Sequence, residues 1–248
     1  YYHFMVGRLG ADGAPDETFG PMGLRVTPFP TDSSQATGVA IDSVGRIVAV
    51  GEARGEGDAP AVAVRRYLPD GTPDPAFGTD GLVTHLPTPG GIYVQGVAID
   101  LLDRIVVVGA KSGPSQDMLV VRLRSDGALD TAFSGGSVLV DFGGAHDRAT
   151  AVAFDALGRI VLGGHSGSNM AAVRLADNGA LDTTFNGTGK VVLPLPPGAG
   201  SAYAAAMALD AQGRVVLAGE SQSVSFVTTE VVARLTAGGV LDPSFGGT

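Results

Sequence analysis

The residues with most chemical promise are carboxylates that return at fixed spacing. Asp12 and Asp16, Asp70 and Asp74, and Asp126 and Asp130 stand four apart in D-G-x-x-D turns, and Asp182 and Asp242 repeat the second position. Oxygen ligands at such spacing resemble fragments of a calcium-binding loop, but the full EF-hand spacing is absent. Asp also caps turns, by accepting N–H groups two residues on. Asn178 and Gly238 stand where the first Asp falls in two copies, which favours capping. No cofactor is therefore expected, calcium being the one ion the pattern could admit. An Arg precedes the second carboxylate by eight residues in every copy, at Arg8, Arg66, Arg122, Arg174 and Arg234. A charge-assisted bridge from Arg to carboxylate would hold the turn to its strand. Asp42 and Arg46, Asp100 and Arg104, Asp155 and Arg159, and Asp210 and Arg214 stand four apart, and the same bracing reading applies.

Glu52, His165 and Glu220 could ligate a metal or act as acid and base, if the fold gathers them. Nucleophilic catalysis has little support. No G-x-S-x-G elbow is present, and the G-H-S-G-S letters at 164–168 lack a strand–turn–helix setting. The glycine runs have no βαβ context and so form no phosphate cradle.

Positioning these groups falls to a repeat. The turn reads DGAPDETFG, DGTPDPAFG, DGALDTAFS, NGALDTTFN and GGVLDPSFG, with its Phe at Phe19, Phe77, Phe133, Phe185 and Phe245. A second segment reads AIDSVGRIVAVG, AIDLLDRIVVVG, AFDALGRIVLGG and ALDAQGRVVLAG, in phase with the first. Internal self-similarity of this kind marks a repeat architecture. Each unit reads as four short strands, a to d, in the first complete copy at 38–42, 46–51, 61–68 and 81–86. Val, Ile and Ala fill them and Gly, Pro or Asp ends them, with no stretch of helical period. Such a unit cannot bury both faces alone; stacked around an axis it forms a blade of a β-propeller. The expected fold is all-β, a propeller of four-stranded antiparallel blades with about 55 residues per repeat. The runs IVAV, IVVV and VVLA fit a second strand covered on both faces, and the repeated Phe fits an anchor between blades.

In an up-down-up-down blade the a–b and c–d turns share one end, and the b–c and d–a connections share the other. The first set is stereotyped and reads as structural. The second varies from copy to copy and is the expected binding face. Just after strand b stand Glu52, Ala110, His165 and Glu220; just before strand a stand Gln35, Tyr93, Arg148 and Tyr203. Loops add Arg54, Glu56, Asp58, Lys111, Asp117, Asn169, Asp32, His146 and Asp147. The candidate binding residues are Glu52, Tyr93, His146, Arg148, His165, Tyr203 and Glu220. The two Tyr rings could stack on a sugar or a peptide, although aromatics at only 6% argue against a multi-site lectin.

The combination ARLxxDGxLDxxFGxxG followed by DxxGRIVVAG resembles the delta-60 repeat, a bacterial β-propeller repeat found mainly in proteins of unknown function. The resemblance covers nearly the whole chain. It implies a propeller, usually in an exported or surface protein, and implies no reaction. Ser134 and Asn186, which replace the Gly after Phe, depart from the pattern.

Composition closes off several classes. With 44% apolar and 17% charged residues the chain has enough apolar surface to fold, and without Cys it has neither disulfides nor Cys-ligated metal. No apolar run approaches the roughly 18 residues of a membrane helix. A net charge of −9 with scattered Lys and Arg excludes a concentrated nucleic-acid surface. The expected role is a non-catalytic scaffold that presents variable loops to a protein or glycan partner. Its expected place is secreted, periplasmic or on a bacterial cell surface. The alternatives are a metal-dependent lactonase- or lyase-like propeller and a subunit of a larger surface assembly.

One propeller domain is expected over 1–248, with partial repeats at about 1–36 and 205–248 and complete ones at 37–94, 95–149 and 150–204. The opening YYHFMVGRLG lacks the features of a signal peptide and reads as mid-strand, so a removed leader or earlier repeats are expected. Seventeen strands are expected, one more than four blades need. That surplus implies either an excerpt of a larger propeller or unpaired edge strands that self-associate.

Overall fold

The computed structural model describes residues 3–27, 34–54, 60–85, 90–144 and 146–246. Seventeen strands form among them, where the Val-, Ile- and Ala-rich runs fall. β1 (Phe4–Gly7) pairs with β2 (Leu24–Thr27). β3 (Ser34–Ile41), β4 (Ile47–Arg54), β5 (Pro60–Tyr67) and β6 (Leu82–His85) make a four-stranded antiparallel sheet in chain order. β7 (Ile92–Ile99), β8 (Ile105–Ser112), β9 (Gln116–Leu123) and β10 (Ser137–Val140) make the next. β11 (Asp147–Phe154), β12 (Ile160–Ser166), β13 (Asn169–Leu175) and β14 (Lys190–Val192) make a third. β15 (Ala199–Leu209), β16 (Val215–Ser223) and β17 (Thr228–Leu235) form a three-stranded sheet. The three four-stranded sheets are the a-to-d blades of the sequence reading, with β1 and β2 a c–d pair and β15–β17 an a–b–c set. No helix among the described residues is long and apolar enough to cross a membrane.

The stereotyped turns explain why the sheets recur. In the a–b hairpin the Asp42 carboxylate accepts the Arg46 N–H at 2.8 Å and its Nε at 2.5 Å. Asp100–Arg104, Asp155–Arg159 and Asp210–Arg214 repeat the contact at 2.6, 2.7 and 2.6 Å. Gly45, Gly158 and Gly213 take a positive φ there, and Asp103 takes φ 57° where it replaces Gly. In the c–d turn, Nε of Arg8, Arg66, Arg122, Arg174 and Arg234 reaches Asp16, Asp74, Asp130, Asp182 and Asp242 at 2.7–2.8 Å. The first Asp caps: Asp12, Asp70 and Asp126 accept the N–H two residues on, and Asn178 does the same with its amide oxygen. Both turn carboxylates thus have donors of their own.

The same turns link one blade to the next. Arg66 Nη1 donates to the Ser125 carbonyl at 2.5 Å, Arg174 Nη1 to that of Ala237 at 2.6 Å, and Arg8 Nη1 to that of Pro69. The guanidinium groups of Arg8, Arg66 and Arg174 lie 5.0, 4.4 and 4.8 Å from the ring centroids of Phe19, Phe77 and Phe185. These Phe and Phe133 are fully buried. Each lies against the turn glycine of the following repeat. A Cβ on Gly71, which has φ +80°, would collide with the Phe19 carbonyl, and one on Gly127 would meet the Phe77 ring at 3.0 Å. Phe245 is 37% exposed, and among the described residues no turn glycine packs on its ring.

The chain divides into two compact units, 1–107 with 122–130, and 108–121 with 131–248. In the first, Phe4, Phe19, Ile47, Ala49, Ala63 and Tyr67 form one buried cluster. In the second, Val161, Met170, Phe185, Leu193, Leu217 and Leu235 belong to another. Strands β4, β8 and β12 are buried on both faces, as their continuous apolar runs require. The run VVLA in β16 departs from that expectation: Val215 and Leu217 are buried, whereas Val216 and Ala218 are only half-buried.

Candidate binding site

The variable ends are shaped by a bulge. In β3, β11 and β15 the register slips at Ala36/Gly38, Ala149/Ala151 and Ala204/Ala206. Bulges of this kind re-aim neighbouring side chains. Facing each bulge is a strand-b glycine, Gly51, Gly164 or Gly219, on which a Cβ would strike the carbonyl of Gln35, Arg148 or Tyr203. Only glycine allows that approach. It fixes Gln35, Arg148 and Tyr203, which lie inside β3, β11 and β15 rather than before strand a as expected, because the strands extend past the bulge. The glycines were visible in the repeat; what they serve was not, because the bulge lies on the partner strand.

In the second unit the candidates come together. Arg148 stands opposite His165 across β11 and β12, and Tyr203 opposite Glu220 across β15 and β16. The two sheets meet where the His165 ring packs edge-on against Tyr203, with centroids 5.0 Å apart and planes at 79°. His165 is half-buried, and its Nδ1 has no hydrogen-bond partner among the described residues. Burial, assisted by the Arg148 charge, holds its pKa below the ordinary His value, so the ring is neutral near pH 7. Tyr203 is 37% exposed and Glu220 is exposed. A neutral imidazole, an amphipathic ring, a guanidinium and a carboxylate therefore share one surface. His146 is exposed beside it, and its carbonyl accepts the Gly167 N–H at 2.9 Å.

In the first unit Gln35 stands opposite Glu52 across β3 and β4. Glu52 Oε1 accepts the Val94 N–H at 2.8 Å, so this carboxylate ties β4 to β7 beside exposed Tyr93. Asn169 donates to the Leu193 carbonyl at 2.8 Å. Asp32, Glu56 and Asp58 lie outside the described residues. Among the described residues, one group of metal-ligating side chains converges: Asp117, Asp141 and Asp147. Neither Glu52, His165 nor Glu220 belongs to it. Asp141 carries no repeat signal, and sequence reasoning passed over it.

Braced four-stranded meanders with variable ends define a β-propeller repeat. The family model described as domain of unknown function (DUF5122) beta-propeller matches residues 45–77, 103–133, 158–185 and 212–245. Each match runs from the a–b hairpin to the turn Phe, together they span more than half of the chain, and the chain belongs to this family. No curated protein matches the chain. Among solved structures, a streptogramin B lyase is similar, with 12% identity and a TM-score of 0.51, covering 96% of this chain and 74% of its own. A catalytically inactive virginiamycin B lyase from Staphylococcus aureus with quinupristin has 12% identity and a TM-score of 0.46, over 86% of this chain and 71% of its own. A GH43 endo-arabinanase from Bacillus licheniformis has 13% identity and a TM-score of 0.44, over 80% and 70%. At these identities the likeness is one of fold.

Proposed function

We propose that this chain is a non-catalytic binding propeller of the delta-60 type, which holds a protein or glycan partner on its variable ends outside the cytoplasm. The observation that carries the reading is the Arg148–His165–Tyr203–Glu220 surface, assembled from two sheets at positions whose residues vary among the repeats. The repeated charges brace the turns in every copy, whereas the residue types at these positions vary among the repeats. Tyr203 offers a face for a sugar ring or an apolar side chain, backed edge-on by the His165 ring, with the Arg148 guanidinium and the Glu220 carboxylate beside it. The glycine-backed bulges hold the group in place beforehand, which lowers the ordering cost of binding. Retention assays against immobilised bacterial polysaccharides and extracellular protein fractions test it. A ligand held by the wild-type chain is expected to bind about tenfold or more weakly to Tyr203→Ala, with folding intact. Equal retention by Tyr203→Ala and Glu220→Gln would remove the reading.

A second reading, a subunit of a larger assembly, is favoured by one specific feature. Beyond the Leu235–Leu241 bridge, the outer edge of β17 pairs with no strand among the described residues. Beside it lies a cavity of about 320 Å³, lined mainly by apolar groups that include Met170, Leu193, Leu195, Val232 and Phe245.

A further inference from the structure

We propose that Asp117, Asp141 and Asp147 bind one divalent cation, Ca²⁺ in preference to Mg²⁺. Asp117 lies at the start of β9, Asp141 directly follows β10, and Asp147 opens β11. Their carboxylate oxygens lie within 4.8 Å of one another. Asp147 is fully buried. Its Oδ2 accepts the Phe142 N–H at 2.8 Å, while its Oδ1 has no hydrogen-bond partner among the described residues. A buried carboxylate oxygen left in this way costs free energy unless something else meets it. Asp141 Oδ1 is held by the N–H groups of Gly143 and Gly144 at 2.7 and 3.1 Å, which aims the side chain. Among the described residues Asp117 Oδ1 receives the Ser115 hydroxyl alone, at 3.3 Å. Lys190 Nζ lies close by but donates to the Asp141 main-chain carbonyl, at 2.7 Å, and sits 5.2 Å from the Phe142 ring centroid. Among the described residues none of the three carboxylates is in a salt bridge.

The repeat itself gives these residues no structural reason to be acidic. The register places Asn169 and Ala202 of the following blade at the positions of Asp117 and Asp147, and Pro194 at that of Asp141. That neighbouring junction is neutral. Three carboxylates gathered at one junction repel one another, and a bound cation reverses the sign. Ca²⁺ takes hard oxygen ligands at 2.3–2.6 Å, so two ligands of one ion stand at most about 5 Å apart. All three pairs fall within that limit. Mg²⁺, at 2.0–2.1 Å, spans only about 4.2 Å and gives up its water reluctantly. The ion would pin the end of β10 and the start of β11 to β9. None of this depends on the partner-binding reading.

The test is calorimetric titration of the chelator-treated protein with CaCl₂, beside an MgCl₂ arm and thermal scans. One Ca²⁺ per chain is expected, with a midpoint that rises with Ca²⁺ concentration and Mg²⁺ binding at least about tenfold weaker. Asp147→Asn and Asp141→Asn should each weaken Ca²⁺ binding roughly 30-fold or more, since ligand charge sets affinity. Asp126→Asn, in a repeated turn, should leave the titration unchanged. If Asp147→Asn does not fold, exposed Asp141→Asn decides. No Ca²⁺ heat with an unmoved midpoint, or binding that survives Asp141→Asn, overturns the site. Equal affinity for Mg²⁺ overturns the preference for Ca²⁺.

Discussion

At the scale of single residues, position in the repeat does not fix the energy of a side chain; what covers it does. Phe133 and Phe245 occupy the same place in the turn, yet one is fully buried and the other is 37% exposed. Phe133→Ala should destabilise the protein by about 3–5 kcal/mol, the transfer and cavity cost of a buried Phe. Phe245→Ala should cost about 1 kcal/mol, because its ring already meets solvent and leaves little cavity. Urea unfolding of the two variants checks the difference, and equal losses would contradict the anchoring role of the following turn.

At the scale of elements, each blade is tied off by a carboxylate that serves several donors at once. Burial pushes the pKa of Asp182 upward, but the hydroxyl and N–H of Thr184 and the Arg174 guanidinium outweigh it and hold it at about 2, from an ordinary 3.8. A depressed carboxylate pKa stabilises the fold fully above the unfolded value and loses that contribution as pH falls through the folded one. Thermal midpoints should therefore fall between about pH 4 and pH 2. Asp182→Asn should lower the midpoint at neutral pH and flatten the slope in that window, a pair of effects that thermal scans across pH resolve. The i, i+8 and i, i+4 spacings made these pairs readable from the chain. The inter-blade reach of Arg66 Nη1 to Ser125 was not readable, since it depends on how one turn stacks on another.

At the scale of the whole molecule, the last sheet is the place to look for association. β16 is half-covered, Val232 on β17 is 51% exposed, and the neighbouring cavity is apolar. An exposed strand edge of this composition pairs with another chain unless charge or geometry blocks it. The net charge of −9 opposes self-association at low salt, and screening relaxes that opposition. Sedimentation should show concentration-dependent association that grows with added salt and is lost in Val232→Lys. A strict monomer at high concentration and high salt would remove the assembly reading.

The sequence by itself determined whatever depends on neighbours along the chain. The short apolar strand runs, the repeated glycines, the turn caps and both sets of Arg–Asp braces are local, repeated and therefore legible, and they suffice for a propeller repeat. Only the tertiary structure decided which equivalent residues differ in environment. It put Tyr203 against His165, left Phe245 exposed and β16 only half-covered, and drew Asp117, Asp141 and Asp147 together from the ends of β9, β10 and β11. Such convergence depends on the register and stacking of separate sheets. A one-residue bulge in any of them re-aims a side chain, and nothing in the spacing along the chain records where that side chain then points.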